Sequence, residues 1–334
     1  MTEGIYTLAN DAVYDQLVAL LNSIEVNVGL ETPVQVIAYD DRIEKVRAEI
    51  KKRKNVELFD DKEIFARWED FSLEVWKAHP YALKVWQENG IQGVNRIGMN
   101  RRYCAFDSDS PFERFAYFDA DVLILNSLGS IFNALNQNDF VVYDFQYKNI
   151  SHIYNKKSPK LPEIFDRSRL ETEIFCAGFY ASKRGIFSSE QRERLLSHLQ
   201  TGEAEVLFMP APNQSVLNYM VMRSGIPVYN LALQLPESEK TGNAVKSSHF
   251  ENRDNVLYDK GRRLTYLHYI GISSKIFSRV CKGENLDFPY RDIFLYYRYL
   301  HEPENQPQFT TKPKPYQQPP SLTTKILRKL KLVR

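Results

Sequence analysis

Short apolar runs alternate with amphipathic, charged stretches through the first sixty residues, and this alternation predicts the fold class. Gly4 to Ala9 (GIYTLA) reads as a strand, Asn10 and Asp11 as a turn or helix cap, and the stretch through Asn22 as a helix. Val13, Leu17, Leu20, Leu21 and Ile24 follow helical spacing. Val34 to Ala38 (VQVIA) is a second strand closed by Tyr39, Asp40 and Asp41, a charged helix follows over Arg42 to Lys54, and Val56 to Phe59 is a third strand. A β-α-β-α-β order predicts right-handed crossovers and a parallel sheet of the nucleotide-binding type. The chain has neither G-x-G-x-x-G nor G-x-x-x-x-G-K-[ST], so any nucleotide is held by other means.

Phe65 to Arg102 reads as helical with aromatic insertions. The run Phe115 to Leu125, FAYFDADVLIL, then reads as a strand buried on both faces, with Asp119 and Asp121 where it ends. Two neighbouring carboxylates at the carboxyl end of a buried strand are costly to desolvate, and they suit a cation or a solvated cleft. Further on, Phe140 to Tyr143 and Phe175 to Ala181 are predicted strands, the latter with Gly178 at a point of close approach. The polar, proline-punctuated stretch Asn149 to Arg169 predicts a mobile loop. Asn213 to Arg223 is a predicted helix capped by Pro212 and Asn213, and Leu264 to Ile270 a late strand ending in His268, Tyr269 and Gly271.

Composition narrows the function classes. The 334 residues suit one large α/β domain plus a tail, and 44 Lys+Arg against 42 Asp+Glu give no reason to expect nucleic acid as a partner. Cys104, Cys176 and Cys281 are widely spaced and odd in number, which favours free thiols in a reducing cytoplasm. The N-terminus lacks the features of a signal peptide, and no apolar run approaches about 18 residues, so a soluble enzyme body is expected.

In this order, four segments resemble the GT-A glycosyltransferases, and within them the family 8 type that includes glycogenin and lipopolysaccharide galactosyltransferases. The segments are GIYTLANDAVY, RRYCAF followed by FAYFDADVLILNSL, FCAGFYASKRG with NQSVLN, and LHYIGISSK. The resemblance covers residues 4 to 277. It implies an α/β GT-A domain with a mostly parallel mixed central sheet flanked by helices. It also implies metal-dependent transfer of a sugar from a nucleoside diphosphate sugar, UDP-linked, to a hydroxyl acceptor. Carried over by motif, Asp119, Asp121 and His268 are the metal ligands, for Mn²⁺ or Mg²⁺. Two carboxylates with one imidazole suit Mn²⁺. Ala9, Asn10, Asp11, Asp40, Asp41, Arg102, Asp119, Ala120, Gly178, Gly271 and Lys275 are implied to meet the donor, with Arg101 as the alternative to Arg102. Asn213, Gln214 and Asp121 are implied at the reacting centre. The chain departs from the family at Cys176, where F-N-[AS]-G has asparagine, and at Asn213, where D-Q has aspartate. Asn213 cannot be a carboxylate nucleophile, which suits retention by front-face attack.

The expected organisation is a catalytic domain over 1–300, a Pro/Gln-rich linker over 301–320 and a basic amphipathic tail over 321–334. The tail (SLTTKILRKLKLVR) suits the surface of an anionic membrane, hence an enzyme peripheral to the inner face, with a glycan, lipid or protein acceptor. Two other classes compete. A haloacid dehalogenase type phosphatase also uses a strand followed by D-x-D, but needs it near the chain start. A silent sugar-nucleotide binding module is the other.

Overall fold

The structure, a computed structural model, describes residues 2–316. Eight strands come first along the chain: β1 Glu3–Ala9, β2 Val34–Ala38, β3 Val56–Phe59, β4 Arg114–Phe118, β5 Val122–Ile124, β6 Phe140–Val142, β7 Phe179–Lys183 and β8 Tyr229–Asn230. All but β5 form one sheet in the order β3-β2-β1-β4-β7-β6-β8. β7 alone runs antiparallel to its neighbours. Every residue of β2 and β4 is buried, and both strands are apolar apart from Gln35 and Arg114.

Helices cover both faces, as the alternating pattern requires. In the first half they are α1 Tyr14–Asn27, α2 Glu44–Ile50, α3 Lys62–Ala78, α4 Ala82–Glu88 and α5 Gly129–Ala134. The second half holds α6 Leu161–Ile164, α7 Arg167–Thr172, α8 Ser189–Gln200, α9 Pro212–Arg223, α10 Leu231–Gln234, α11 Ser274–Cys281 and α12 Arg291–Arg298. Late strands β9 Glu251–Arg253, β10 Val256–Asp259 and β11 Arg262–Arg263 form a small antiparallel sheet, while β12 Tyr266–His268 pairs antiparallel with β5.

Several expectations are corrected. The run Phe115 to Leu125 is two strands, not one: the chain turns at Asp119–Asp121, where Val122 N donates to Asp119 O (3.1 Å) and β5 leaves the main sheet. The long helical reading of Phe65 to Arg102 divides into α3, α4 and the 3-10 helix Ile97–Phe106. Its first break is at His79, extended before Pro80, whose ring disfavours helical backbone in the preceding residue. The helix expected over Arg42 to Lys54 is only α2, and β7 begins after Gly178 rather than at Phe175. The 149–169 stretch is anchored: it carries α6 and the start of α7, and Ile153 and Tyr154 are fully buried. Asn213 lies within α9, whose N-cap is Ala211 with Pro212 at the first helical position, where a missing N–H costs nothing.

Two apolar cores result, one around the main sheet and a second containing Leu123, Leu125, Leu267, Tyr269, Phe277 and Phe294. The proline-rich segment lies back on the second core through Phe309 and Tyr316, and β14 Lys314–Pro315 pairs with β13 Leu286–Asp287. The basic segment 321–334 lies outside the described residues. Among the described residues no helix is long and apolar enough to cross a membrane.

The 3-10 helix crosses the end of β2 so closely that a Cβ on Gly98 would lie 2.3 Å from the Tyr39 carbonyl oxygen. Gly98→Ala is therefore expected to destabilise the fold by about 1–3 kcal/mol, because the obstructing atom is backbone, as read from the midpoint of urea unfolding.

Candidate active site

A cleft of about 720 Å³ opens at the carboxyl ends of β1, β2 and β4. Parallel α/β sheets place ligands there because loops leaving neighbouring strands diverge. Ala9, Asn10, Tyr39, Asp119, Ala120 and Asp121 line it from these strand ends, and Arg96, Met99 and Arg102 from the loop and 3-10 helix beside them. Arg42, Cys176 to Gly178, Asn213, Gln214, His268 and Gly271 to Ser274 also line it.

The acidic turn is held by a buried cation. Arg102, whose side chain is 1% exposed, donates to Asp119 Oδ1 (2.9 Å), to the Ala177 carbonyl (2.8 Å) and to the Met99 carbonyl (3.1 Å). Its guanidinium also lies 4.8 Å from the centre of the Tyr117 ring, and Tyr117 OH donates to the same Asp119 oxygen (2.9 Å). Burial disfavours the charged guanidinium, but Asp119 and the surrounding rings outweigh it and raise its pKa. Arg101 turns the other way, to Glu69 (2.6 Å) and the Ala38 carbonyl (3.0 Å), so it anchors the 3-10 helix while Arg102 serves the cleft.

Antiparallel pairing of β5 with β12 places His268 opposite Val122, beside the acidic turn. His268 Nε2 lies 3.3 Å from Asp121 Oδ1, and Asp119, Asp121 and His268 each offer a ligand atom, all within 4.8 Å of one another. Carboxylate oxygens and a neutral imidazole are the donor set of a divalent ion such as Mn²⁺. Burial lowers the His268 pKa, but the Asp121 and Asp119 carboxylates raise it more, so the net direction is upward. The imidazole fits only because residue 178 is glycine: an added Cβ would lie 2.3 Å from His268 Cε1.

The remaining expected residues divide. Ala9, Asn10, Ala120, Gly178 and Gly271 line the cleft, whereas Asp11, Asp40, Asp41 and Lys275 do not. Asp11 Oδ1 accepts from Lys45 N (3.0 Å) and Val46 N (3.1 Å), capping α2. Asp40 stands behind the wall: burial pushes its pKa up, and bonds from Arg42 and from Asn10 Nδ2 (3.0 Å) bring it below the ordinary carboxylate range. Asp41 is exposed, and Lys275 is an exposed residue in the first turn of α11, so Ser273 and Ser274 occupy the cleft wall there. Both ends of the Gln214 amide have backbone partners: Oε1 accepts from Ala177 N (3.0 Å) and Nε2 donates to the His152 carbonyl (3.2 Å). Asn213 is buried, its carbonyl accepting from Tyr103 OH (2.5 Å). Burial raises the Cys176 pKa well above that of a free thiol, so the group is neutral.

Tyr39, Arg96, Met99, Ser273 and Ser274 were not anticipated in the cleft wall, although Tyr39 directly follows a predicted strand. Asp144 stands behind Cys176 and accepts from its backbone N–H (3.1 Å). Burial lifts the Asp144 pKa from 3.8 to about 6.

No protein-family model matches the sequence, and no curated protein matches it. Solved structures do match. Galactosyltransferase LgtC, solved with donor and acceptor sugar analogues, aligns with a TM-score of 0.51 at 15% identity, covering 93% of this chain and 98% of its own. The apo bifunctional glycosyltransferase WbbM aligns with a TM-score of 0.50 at 11% identity over 91% of this chain. The chain spans about half of WbbM, 52% of its length. At these identities the likeness is one of fold, and the fold is that of the GT-A glycosyltransferases.

Gly178→Ala is expected to displace His268 and weaken Mn²⁺ binding by about tenfold or more, measured by calorimetric titration, since ligand orientation sets metal affinity. Asp144 has a raised folded-state pKa, so its contribution to stability is full below its unfolded value and is lost as pH rises through about 6. Thermal unfolding should thus show Asp144→Asn gaining on the wild type between about pH 4 and pH 7, with Asn Oδ1 still able to accept from Cys176 N.

Proposed function

We propose that the protein transfers a sugar from a nucleoside diphosphate sugar, UDP-linked, to a hydroxyl acceptor on a glycan, lipid or protein. The observation that carries this reading is the convergence of Asp119, Asp121 and His268 at the carboxyl ends of parallel strands. Those three residues would hold Mn²⁺, or Mg²⁺, and such an ion when bound neutralises charge developing on a diphosphate leaving group. Arg102 holds Asp119 in place. Gly178 leaves room for His268, whose ring must lose its proton before it can act as a ligand.

Cys176, Asn213 and Gln214 also line the cleft, with a neutral thiol and a Gln214 amide already held by backbone partners. With no carboxylate at Asn213 or Gln214, these residues offer no nucleophile for double displacement, which favours front-face attack with retention. Its sequence makes the basic segment 321–334 the candidate contact with an anionic membrane surface, at the cytoplasmic face. The replacements at Cys176 and Asn213 also favour one second reading, a module that binds sugar nucleotides without turnover.

The test is release of nucleoside diphosphate from a panel of UDP-, GDP- and ADP-sugars with Mn²⁺. Turnover of a UDP-sugar that falls by about 100-fold or more in Asp121→Ala is expected, because this substitution removes a metal ligand. Thermal stabilisation by a sugar nucleotide without turnover would favour the binding module. No turnover and no stabilisation by any member of the panel would reject both.

A further inference from the structure

We infer that Arg96 supplies the positive charge that meets the diphosphate of a bound nucleoside diphosphate donor, in the role that the resemblance gives Lys275. This rests on the donor class proposed above and goes on to name the group that recognises its phosphates.

Three cations line the cleft, and two of them are already neutralised. Arg42 bonds Asp40 at 2.5 and 3.0 Å, and Arg102 bonds Asp119 at 2.9 Å. Among the described residues, the Arg96 side chain has no hydrogen-bond or ion-pair partner. Lys275, the cation that resemblance puts on the phosphates, does not line the cleft, and the wall there is made by the uncharged Ser273 and Ser274.

Charge balance shows what is missing. Asp119 and Asp121 contribute two negative charges, Arg102 one positive, a divalent ion two positive, and a diphosphate diester two negative, which leaves one negative charge over. A single further cation completes the balance, and Arg96 is the unpaired one in the cleft wall. A guanidinium also suits the group, since its planar fork matches two phosphate oxygens.

The backbone at Arg96 is unusual in the same sense. Its φ of 56° and ψ of 44° are left-handed, a conformation that costs energy in a residue with a Cβ and clusters at ligand-binding positions. Arg96 is the N-cap of the 3-10 helix, which Arg101 fastens to the Ala38 carbonyl and Gly98 seats against Tyr39. Its main chain is thus held in the cleft wall, while the side chain remains exposed and free to take a ligand.

The experiment is calorimetric titration of the full chain with UDP, GDP and the matching nucleosides, in Mn²⁺, at low and high salt. Arg96→Gln should weaken the nucleoside diphosphate by about tenfold, leave the nucleoside unchanged and flatten the salt dependence, because a charge-assisted contact is lost. Arg96→Lys should recover part of the loss. Arg96→Gly removes the charge while relaxing the left-handed backbone, so it should bind as weakly as the glutamine variant without loss of thermal stability. Lys282→Gln, which removes an exposed charge outside the cleft, should bind as wild type. If the wild type binds a nucleoside diphosphate and Arg96→Gln binds it equally well, or loses the nucleoside equally, the role of Arg96 is overturned and the transferase reading stands. If the wild type binds neither diphosphate, the donor class itself fails.

Discussion

Everything in the cleft depends on how two carboxylates are held in register at the end of a fully buried strand. Burying a charge costs several kcal/mol unless it is paired and hydrogen-bonded. Arg102 supplies the compensation for Asp119, and it is itself compensated by two carbonyls and the Tyr117 ring. The pair ties together the 3-10 helix, the end of β4 and the Ala177 backbone ahead of β7. The same contact that makes the acidic turn affordable therefore fixes three separate segments around it.

The second constraint is the break in the strand. Once the chain turns at Asp119–Asp121, β5 is free to leave the main sheet and pair with β12, which brings His268 back from far along the sequence. The junction between the two apolar cores thus coincides with the acidic turn, and the turn is walled on both sides. Gly178 is a point of close approach between the two halves, since the His268 ring occupies the volume a side chain would need.

Local patterns carried much of this. The boundaries of β2 and β3 match the apolar runs that predict them, and Asp119, Asp121 and His268 come together as their motifs imply. Elsewhere, identical local signals led to different fates. Asp11 and Asp40 follow strand ends just as Asp119 does, yet one caps α2 and the other pairs with Arg42. Gln214 lies in the cleft wall, but its amide braces two backbone segments. Such differences depend on which partner stands opposite, and spacing along the chain carries no record of that.

The sequence by itself determined the parallel first half of the sheet, because buried strands and amphipathic helices alternate with periods that each segment carries alone. It also determined the acidic turn, since an apolar strand closed by two aspartates is visible within eleven residues. The tertiary structure decided the rest: the split of β4 from β5, the choice of Arg102 over Arg101, the withdrawal of Lys275 from the cleft, and the unpaired Arg96 in its wall. These turn on contacts between segments distant in the chain and on which side chain of a helix faces the cleft. A local pattern of polar and apolar residues does not encode either quantity.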